Sequence, residues 1–458
     1  MKEELKIFNE LVDALLNLED ADPVVKLGSP EDIKEVFDIA IQDKPISDTE
    51  LKSVLEKIVL NTPRTASKSF FNQLFGGRVP SATLGELLTV MLNISMYTYK
   101  VGGPHVGIEV EVLQQICSRI GYPTETSGGT FAPGGSMSNF MSMLMARDAY
   151  DSEIQHKGVR KQLVLYTSVD AHYSIAKNAS FSGVGKGNVR YIDVNDKGQI
   201  DVSKLEEMIK KDMHDGLHPF FVNVTAGTTV LGAFDDVNGI ADVTEKYNLW
   251  LHVDGAYGGS VIFSEQHKHL IGGLERSDSF TMNPHKMLGT PLSCSLIVTK
   301  HKSQLLESFS QEASYLYQGD SDDFNLGKTS LQCGRRNDAF KFWCLWKSIG
   351  TQGLESAVDQ LFHLADVGRD YVLNHKDYQL YSFDESTAVC FNYKDIPPEK
   401  ICNALASHGK LMVGYGVFKE DTFVRFVTVN SRLEKSDIIE FFEKFEEFSD
   451  SVDFSKEV

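Results

Sequence analysis

Leu249-Trp250-Leu251-His252-Val253-Asp254-Gly255-Ala256-Tyr257-Gly258-Gly259 is an apolar run that ends in a carboxylate and opens into small residues. A strand of this kind places its terminal aspartate at the carboxyl edge of a sheet, where α/β proteins bind ligands. Working downstream, a lysine follows 32 residues later in Thr281-Met282-Asn283-Pro284-His285-Lys286-Met287-Leu288-Gly289, a mostly uncharged segment. A partly desolvated lysine has a lowered pKa and becomes an amine nucleophile for a carbonyl. Each residue alone also has an ordinary reading, as an N-capping aspartate and a surface lysine. Together they fit pyridoxal phosphate, which needs a lysine for its aldehyde and an acid for its pyridine nitrogen.

Upstream, short apolar strands alternate with helices. Leu163–Thr167, Val189–Val194 and Pro219–Val224 read as strands, with helices beginning near His172 and spanning Val202 to Lys211. This βαβ alternation predicts a mostly parallel sheet covered by helices. Gly128 to Asn139 (GGTFAPGGSMSN) opens straight into a helix. Glycines followed by a Ser/Asn-rich helix N-terminus suit an anion, although a capped turn has the same look. Thr225-Ala226-Gly227-Thr228-Thr229 makes another small polar turn. All these turns fall on one edge of the predicted sheet.

The flanks differ from this pattern. Residues 1–60 carry helical stripes, such as Leu5, Phe8, Leu11, Val12 and Leu15, with too little apolar surface for a core of their own. They are expected to pack on the body or on a second subunit. Residues 61–345 form the expected large domain, and 346–458 a small α+β domain. Within the latter, Arg425 lies mid-strand in Phe423–Val429, where an exposed edge charge is the plain alternative. The polar stretch Ser314 to Ser330 is long enough to be a lid or a disordered loop.

With 458 residues, 42% hydrophobic and 24% charged, the chain has the composition of a globular protein. A formal charge of −19 argues against nucleic acid or an anionic membrane as partner. The charged Met1-Lys2-Glu3-Glu4 start lacks a signal-peptide core, and no apolar stretch reaches membrane-spanning length. Six scattered cysteines, with neither a CxxC pair nor metal-ligand spacing, predict reduced thiols, no metal and a cytoplasmic location.

The ordered segments resemble the group II pyridoxal-phosphate decarboxylases, the glutamate, cysteine sulfinate and aspartate α-decarboxylases. They are Phe70-Phe71-Asn72-Gln73-Leu74, Tyr97-Thr98-Tyr99, Pro133 to Asn139, His172-Tyr173-Ser174, Thr225 to Thr229, His252-Val253-Asp254, Asn283 to Lys286 and Gln332-Cys333-Gly334-Arg335. The resemblance implies a type I aminotransferase-like fold and a homodimer with active sites at the subunit boundary. It implies that Lys286 holds pyridoxal phosphate, Asp254 pairs with the pyridinium, and His172 and Ala256 cover the two ring faces. Gly135, Ser136, Met137, Thr228, Asn283 and His285 complete the implied cofactor site. Arg425 matches the arginine that holds a substrate carboxylate, and Gln73 a pocket position.

Phe75 and Ser95 stand where family members acting on cysteine sulfinate or aspartate more often carry Phe and Ser. The expected reaction is therefore α-decarboxylation of cysteine sulfinate to hypotaurine or of aspartate to β-alanine. Core packing of Phe75, and a mere repacking of the pocket entrance by both residues, are the plain alternatives. Glutamate decarboxylation, an aldehyde-forming variant and a catalytically silent paralogue are the other readings. One departure stands out: counted back from Arg335, Phe324 falls where many members have the tyrosine that protonates Cα. Tyr315 and Tyr317 fall outside that position.

Overall fold

The computed structural model describes residues 1–21, 23, 24, 31, 33–311 and 324–454. Contacts divide the chain into two units, one of residues 78–363 with 383–387 and one of residues 1–77, 364–382 and 388–458. The N-terminal helices thus belong with the C-terminal residues, a grouping different from the breaks expected at 60 and 345.

The larger unit is built on seven strands: β1 (Gly128–Ala132), β2 (Leu163–Ser168), β3 (Val189–Ile192), β4 (His218–Thr225), β5 (Trp250–Gly255), β6 (Ser279–Met282) and β7 (Ser295–Thr299). Their order across the sheet is β1-β7-β6-β5-β4-β2-β3. The pairs from β3 to β6 are parallel, and β7 is antiparallel to both β6 and β1. Strands β2, β5, β6 and β7 are buried at every position. That explains why apolar and small residues dominate them, with His252 and Asp254 of β5 as the exceptions, since a sheet of this kind is covered on both faces. Aspartates start the crossover helices: the Asp201 carboxylate accepts from Ser203 and Lys204 N–H, and that of Asp236 from Gly239 N–H.

Two strands of this sheet went unread in the sequence. Gly128–Ala132 looked like part of a glycine-rich turn, yet it pairs with β7. A Cβ at Gly129 would come within 2.3 Å of the Ile297 carbonyl oxygen, so the glycine is there for close strand approach. Ser279–Met282 is too short and too polar at its start to announce itself as a strand.

The smaller unit holds a four-stranded antiparallel sheet, β8 (Tyr378–Leu380), β9 (Ala388–Tyr393), β10 (Gly414–Phe418) and β11 (Asp421–Val427), in the order β10-β11-β9-β8. Its core is aromatic. Phe71 packs 4.7 Å from Phe426 and 4.9 Å from Phe441, ring centre to ring centre. β11 is an inner strand, and Arg425 pairs in register with Gly414 on one side and Cys390 on the other. It is therefore no edge charge.

Candidate active site

Because β2, β4, β5 and β6 run parallel, their carboxyl ends come out together. That edge gathers Thr225, Asp254 and the turn after Met282 around a cleft of about 220 Å³. Gly135, Ser136, His172, Asp254, Ala256, Asn283, His285 and Lys286, separated by up to 151 positions in sequence, all line it.

Asp254 lies at the cleft with 4% of its surface exposed. Its Oδ2 accepts from Asn139 Nδ2 at 2.7 Å, and its Oδ1 from the Ala256 N–H at 3.1 Å. His172 is half-buried, and its Nδ1 accepts from the Ser174 N–H at 3.3 Å, with Ser174 Oγ 2.8 Å away. The neutral ring then carries its proton on Nε2. Burial holds His172 below the usual histidine pKa; the Lys286 charge adds to this and Asp254 opposes it.

Lys286 is half-buried in the turn after β6, with its N–H on the Asn283 carbonyl at 2.9 Å. Beside it, Nδ1 of His285 lies 3.0 Å from the backbone nitrogen of Cys294 and 2.6 Å from its carbonyl oxygen. Burial pushes the His285 pKa down to about 4, so the ring is neutral near pH 7. Asn283 Oδ1 accepts from the Ser295 hydroxyl at 2.5 Å. That leaves the amide nitrogen of Asn283 facing Gly135, where an added Cβ would lie 2.8 Å from it. Gly134 precedes with φ of +146°, and the helix Gly135–Tyr150 begins with its first N–H groups at the cleft.

These features fit pyridoxal phosphate. The cleft offers a lysine amine, a buried carboxylate, an imidazole and a helix N-terminus suited to phosphate. Thr225 also lines it, and its hydroxyl is buried with no hydrogen-bond partner among the described residues. A buried hydroxyl in that state calls for a ligand.

Other expected residues lie elsewhere. Thr228 turns its hydroxyl to the Ala233 N–H at 3.0 Å, while Thr225, Gly227 and Thr229 line the cleft. Met137 packs against the cluster formed by Met141, Ile175 and their neighbours. Ser95 Oγ accepts from the Arg335 N–H at 3.0 Å. Gln73 (exposed), Phe75 (half-buried) and Arg425 belong to the smaller unit. There the Arg425 guanidinium donates to the Asn72 carbonyl at 2.6 Å. Asn139 was quoted in the sequence without a role; its place four residues after Gly135, hence on the same helix face, was the available signal.

The sheet order and the cleft at its carboxyl edge define a type I pyridoxal-phosphate enzyme. A family profile described as "Pyridoxal-dependent decarboxylase conserved domain" matches residues 30–394. The chain is 35% identical to human cysteine sulfinic acid decarboxylase over 441 residues, covering 91% of this chain and 89% of the relative. It is also 35% identical to mouse acidic amino acid decarboxylase GADL1 over 435 residues, covering 89% and 78%. The crystal structure of mouse CSAD superimposes with a TM-score of 0.92 at 30% identity, covering 99% of this chain and all of that one. The chain belongs to the pyridoxal-dependent decarboxylase family: it is an amino-acid decarboxylase, and its cofactor is pyridoxal phosphate.

Proposed function

We propose that this chain removes the α-carboxylate of a small acidic amino acid, cysteine sulfinate or aspartate, giving hypotaurine or β-alanine. The convergence of Lys286, Asp254 and His172 on one cleft carries the chemical part of this reading. The relatives named for cysteine sulfinate and for acidic amino acids support the substrate class. Phe75 and Ser95 support the shorter acids within it. When bound, the cofactor accepts the electron pair released by CO2 loss. Lys286 would hold it through its side-chain amine. Asp254 keeps its pyridine nitrogen protonated, as an anion beside that nitrogen must. His172 covers a ring face with Nε2–H available to donate. Arg425 anchors the substrate's acid group, so that the bond to be broken is set by positioning.

The test is a substrate panel of cysteine sulfinate, aspartate and glutamate on the purified protein, with CO2 detection. Cysteine sulfinate or aspartate is expected to give the highest kcat/KM; glutamate as the best substrate overturns the reading of Phe75 and Ser95. Lys286→Ala is expected to lose both the visible cofactor absorbance and CO2 release. A variant that keeps both displaces Lys286 from its role.

The same reading includes a homodimer. Leu84, Leu87, Leu88 and Met91 form a stripe at helical spacing on Pro80–Leu92, each exposed by 41–56%. An apolar stripe of this kind suits a second copy of the chain. Sedimentation is expected to give twice the chain mass, and a monomer that decarboxylates at full rate refutes it. None of the six cysteines is joined in a disulfide, which suits the cytoplasm, and no helix among the described residues is long and apolar enough to cross a membrane. Fractionation that recovers the protein outside the cytoplasm would refute that placement.

A further inference from the structure

A chain of buried polar side chains runs behind Asp254, and the directions of its hydrogen bonds can be worked out from one end. Trp250 Nε1–H, which can only donate, lies 2.9 Å from Ser279 Oγ. Ser279 Oγ is also 2.7 Å from Ser142 Oγ and 2.9 Å from His252 Nδ1. At the other end, Asp254 as an anion can only accept, so the atom of Asn139 beside it is the amide NH2. The carbonyl Oδ1 of Asn139 therefore faces His252 Nε2, at 3.1 Å, and must accept from it. His252 then carries its proton on Nε2 and accepts at Nδ1 from the Ser279 hydroxyl. Ser279, giving one hydrogen and receiving from Trp250 and Ser142, is fully used. With Asp254 as an anion and His252 neutral, one arrangement satisfies these contacts.

We propose that His252 is a positioning residue for the cofactor: through Asn139 it fixes which side of an amide faces Asp254, and so keeps a hydrogen-bond donor on the carboxylate that meets the pyridine nitrogen. The inference rests on the role given to Asp254 above. Ser142, Asn139, His252 and Ser279 are 0–1% exposed, so no water is at hand to replace a lost donor. Burial pushes the His252 pKa down to about 4, against the pull of Asp254, so the ring remains neutral through the working pH range. His252 and Asp254 are two apart on β5 and share a face of the strand, with Asn139 reaching across from the helix Gly135–Tyr150. Asp254 and Lys286 both act on the His172 ring, with opposite signs.

The full-length chain, freed of cofactor and titrated with pyridoxal phosphate, reads this without turnover. A glutamine amide nitrogen can take the place of Nε2 and an asparagine one cannot. His252→Gln is expected to bind the cofactor within about threefold of wild type, and His252→Asn about tenfold or more weaker at equal thermal stability. Asn139→Asp sets two carboxylates side by side, which cannot both ionise. Its cofactor affinity is expected to rise toward that of wild type as pH falls from about 8 to about 5.5, because the added proton restores a donor to Asp254. Equal affinities for both His252 variants, or an Asn139→Asp affinity that follows the wild-type pH profile, would overturn the relay. Asp254→Ala separates the two ideas. If it binds cofactor like wild type, the role of Asp254 itself fails; if it loses affinity while the relay variants do not, only the relay fails.

Discussion

The guanidinium of Arg335 lies 2.9 Å from the carboxylate of Glu109, with their side chains 3% and 0% exposed. Glu109 also accepts from the Phe131 N–H at 3.4 Å, so the pair ties the helix Pro104–Ile120 to β1. Removing one partner leaves a buried charge without compensation. Glu109→Gln is therefore expected to cost about 3–5 kcal/mol of stability, read from the denaturant midpoint. A midpoint equal to wild type would show that the ion pair is dispensable.

Stability against pH has two opposing sources. His252 and His285 are both pushed down to about 4 by burial. In the unfolded chain they take up protons near pH 6.5, so each withdraws stability as pH falls from about 6.5 to about 4. Asp235 goes the other way. It is buried with its oxygens 2.7 Å from the Ile200 and Thr225 N–H groups, and burial raises its pKa to about 7. The folded state then holds a proton that the unfolded state has lost, and this stability vanishes as pH rises from about 4 to about 7. Asp235→Asn removes the opposing contribution. The variant is expected to lose up to roughly 4 kcal/mol more than wild type between pH 7.5 and pH 4.5, measured by urea unfolding at both pH values. Parallel losses would mean that Asp235 titrates as an ordinary carboxyl.

Phe75 and Ser95 are the substrate-length residues of the proposed function. Replacing them with a small polar residue and an amide, Phe75→Ser with Ser95→Asn, is expected to raise the kcat/KM ratio of glutamate to cysteine sulfinate. The change is about tenfold or more, the usual effect of one methylene. Since Ser95 also accepts the Arg335 N–H, thermal stability is measured alongside. An unchanged ratio in a stable variant assigns substrate length to other residues.

Phe324 is 39% exposed, with its ring 5.9 Å from that of Tyr99 in an edge-on contact. The neighbouring segment 312–323, with Tyr315 and Tyr317, lies outside the described residues. If residue 324 occupies the position of the Cα proton donor, Phe324→Tyr raises the number of decarboxylations per abortive transamination. Amine product counted against cofactor lost gives that ratio, and no change removes residue 324 from the position.

The sequence was most informative where a residue type is bound to its backbone setting. A strand ending in Asp254, a lysine in the uncharged segment after it, and a glycine-rich turn opening a helix are local signals, and they marked the carboxyl edge of a parallel sheet. Short or polar strands were less legible. Gly128–Ala132 and Ser279–Met282 owe their extended form to neighbours distant in sequence, since β1 pairs only through β7 and β6 is held between β5 and β7. Composition cannot register a partner strand.

By itself, then, the sequence determined the fold class and the cofactor chemistry, and it singled out Lys286, Asp254 and His172, which the structure brings to one cleft. Fold class and cofactor chemistry follow from residue types and motifs that short stretches of chain carry. Only the tertiary structure decided that the N-terminal helices group with the C-terminal sheet, that Arg425 lies on an inner strand, and that Thr225 and Thr229 rather than Thr228 line the cleft. It alone placed Asn139 and His252 behind Asp254. The physical reason is that a hydrogen bond has a direction and a partner. Which side of an amide meets a carboxylate is settled by packing across the sheet, between residues 113 and 115 positions apart.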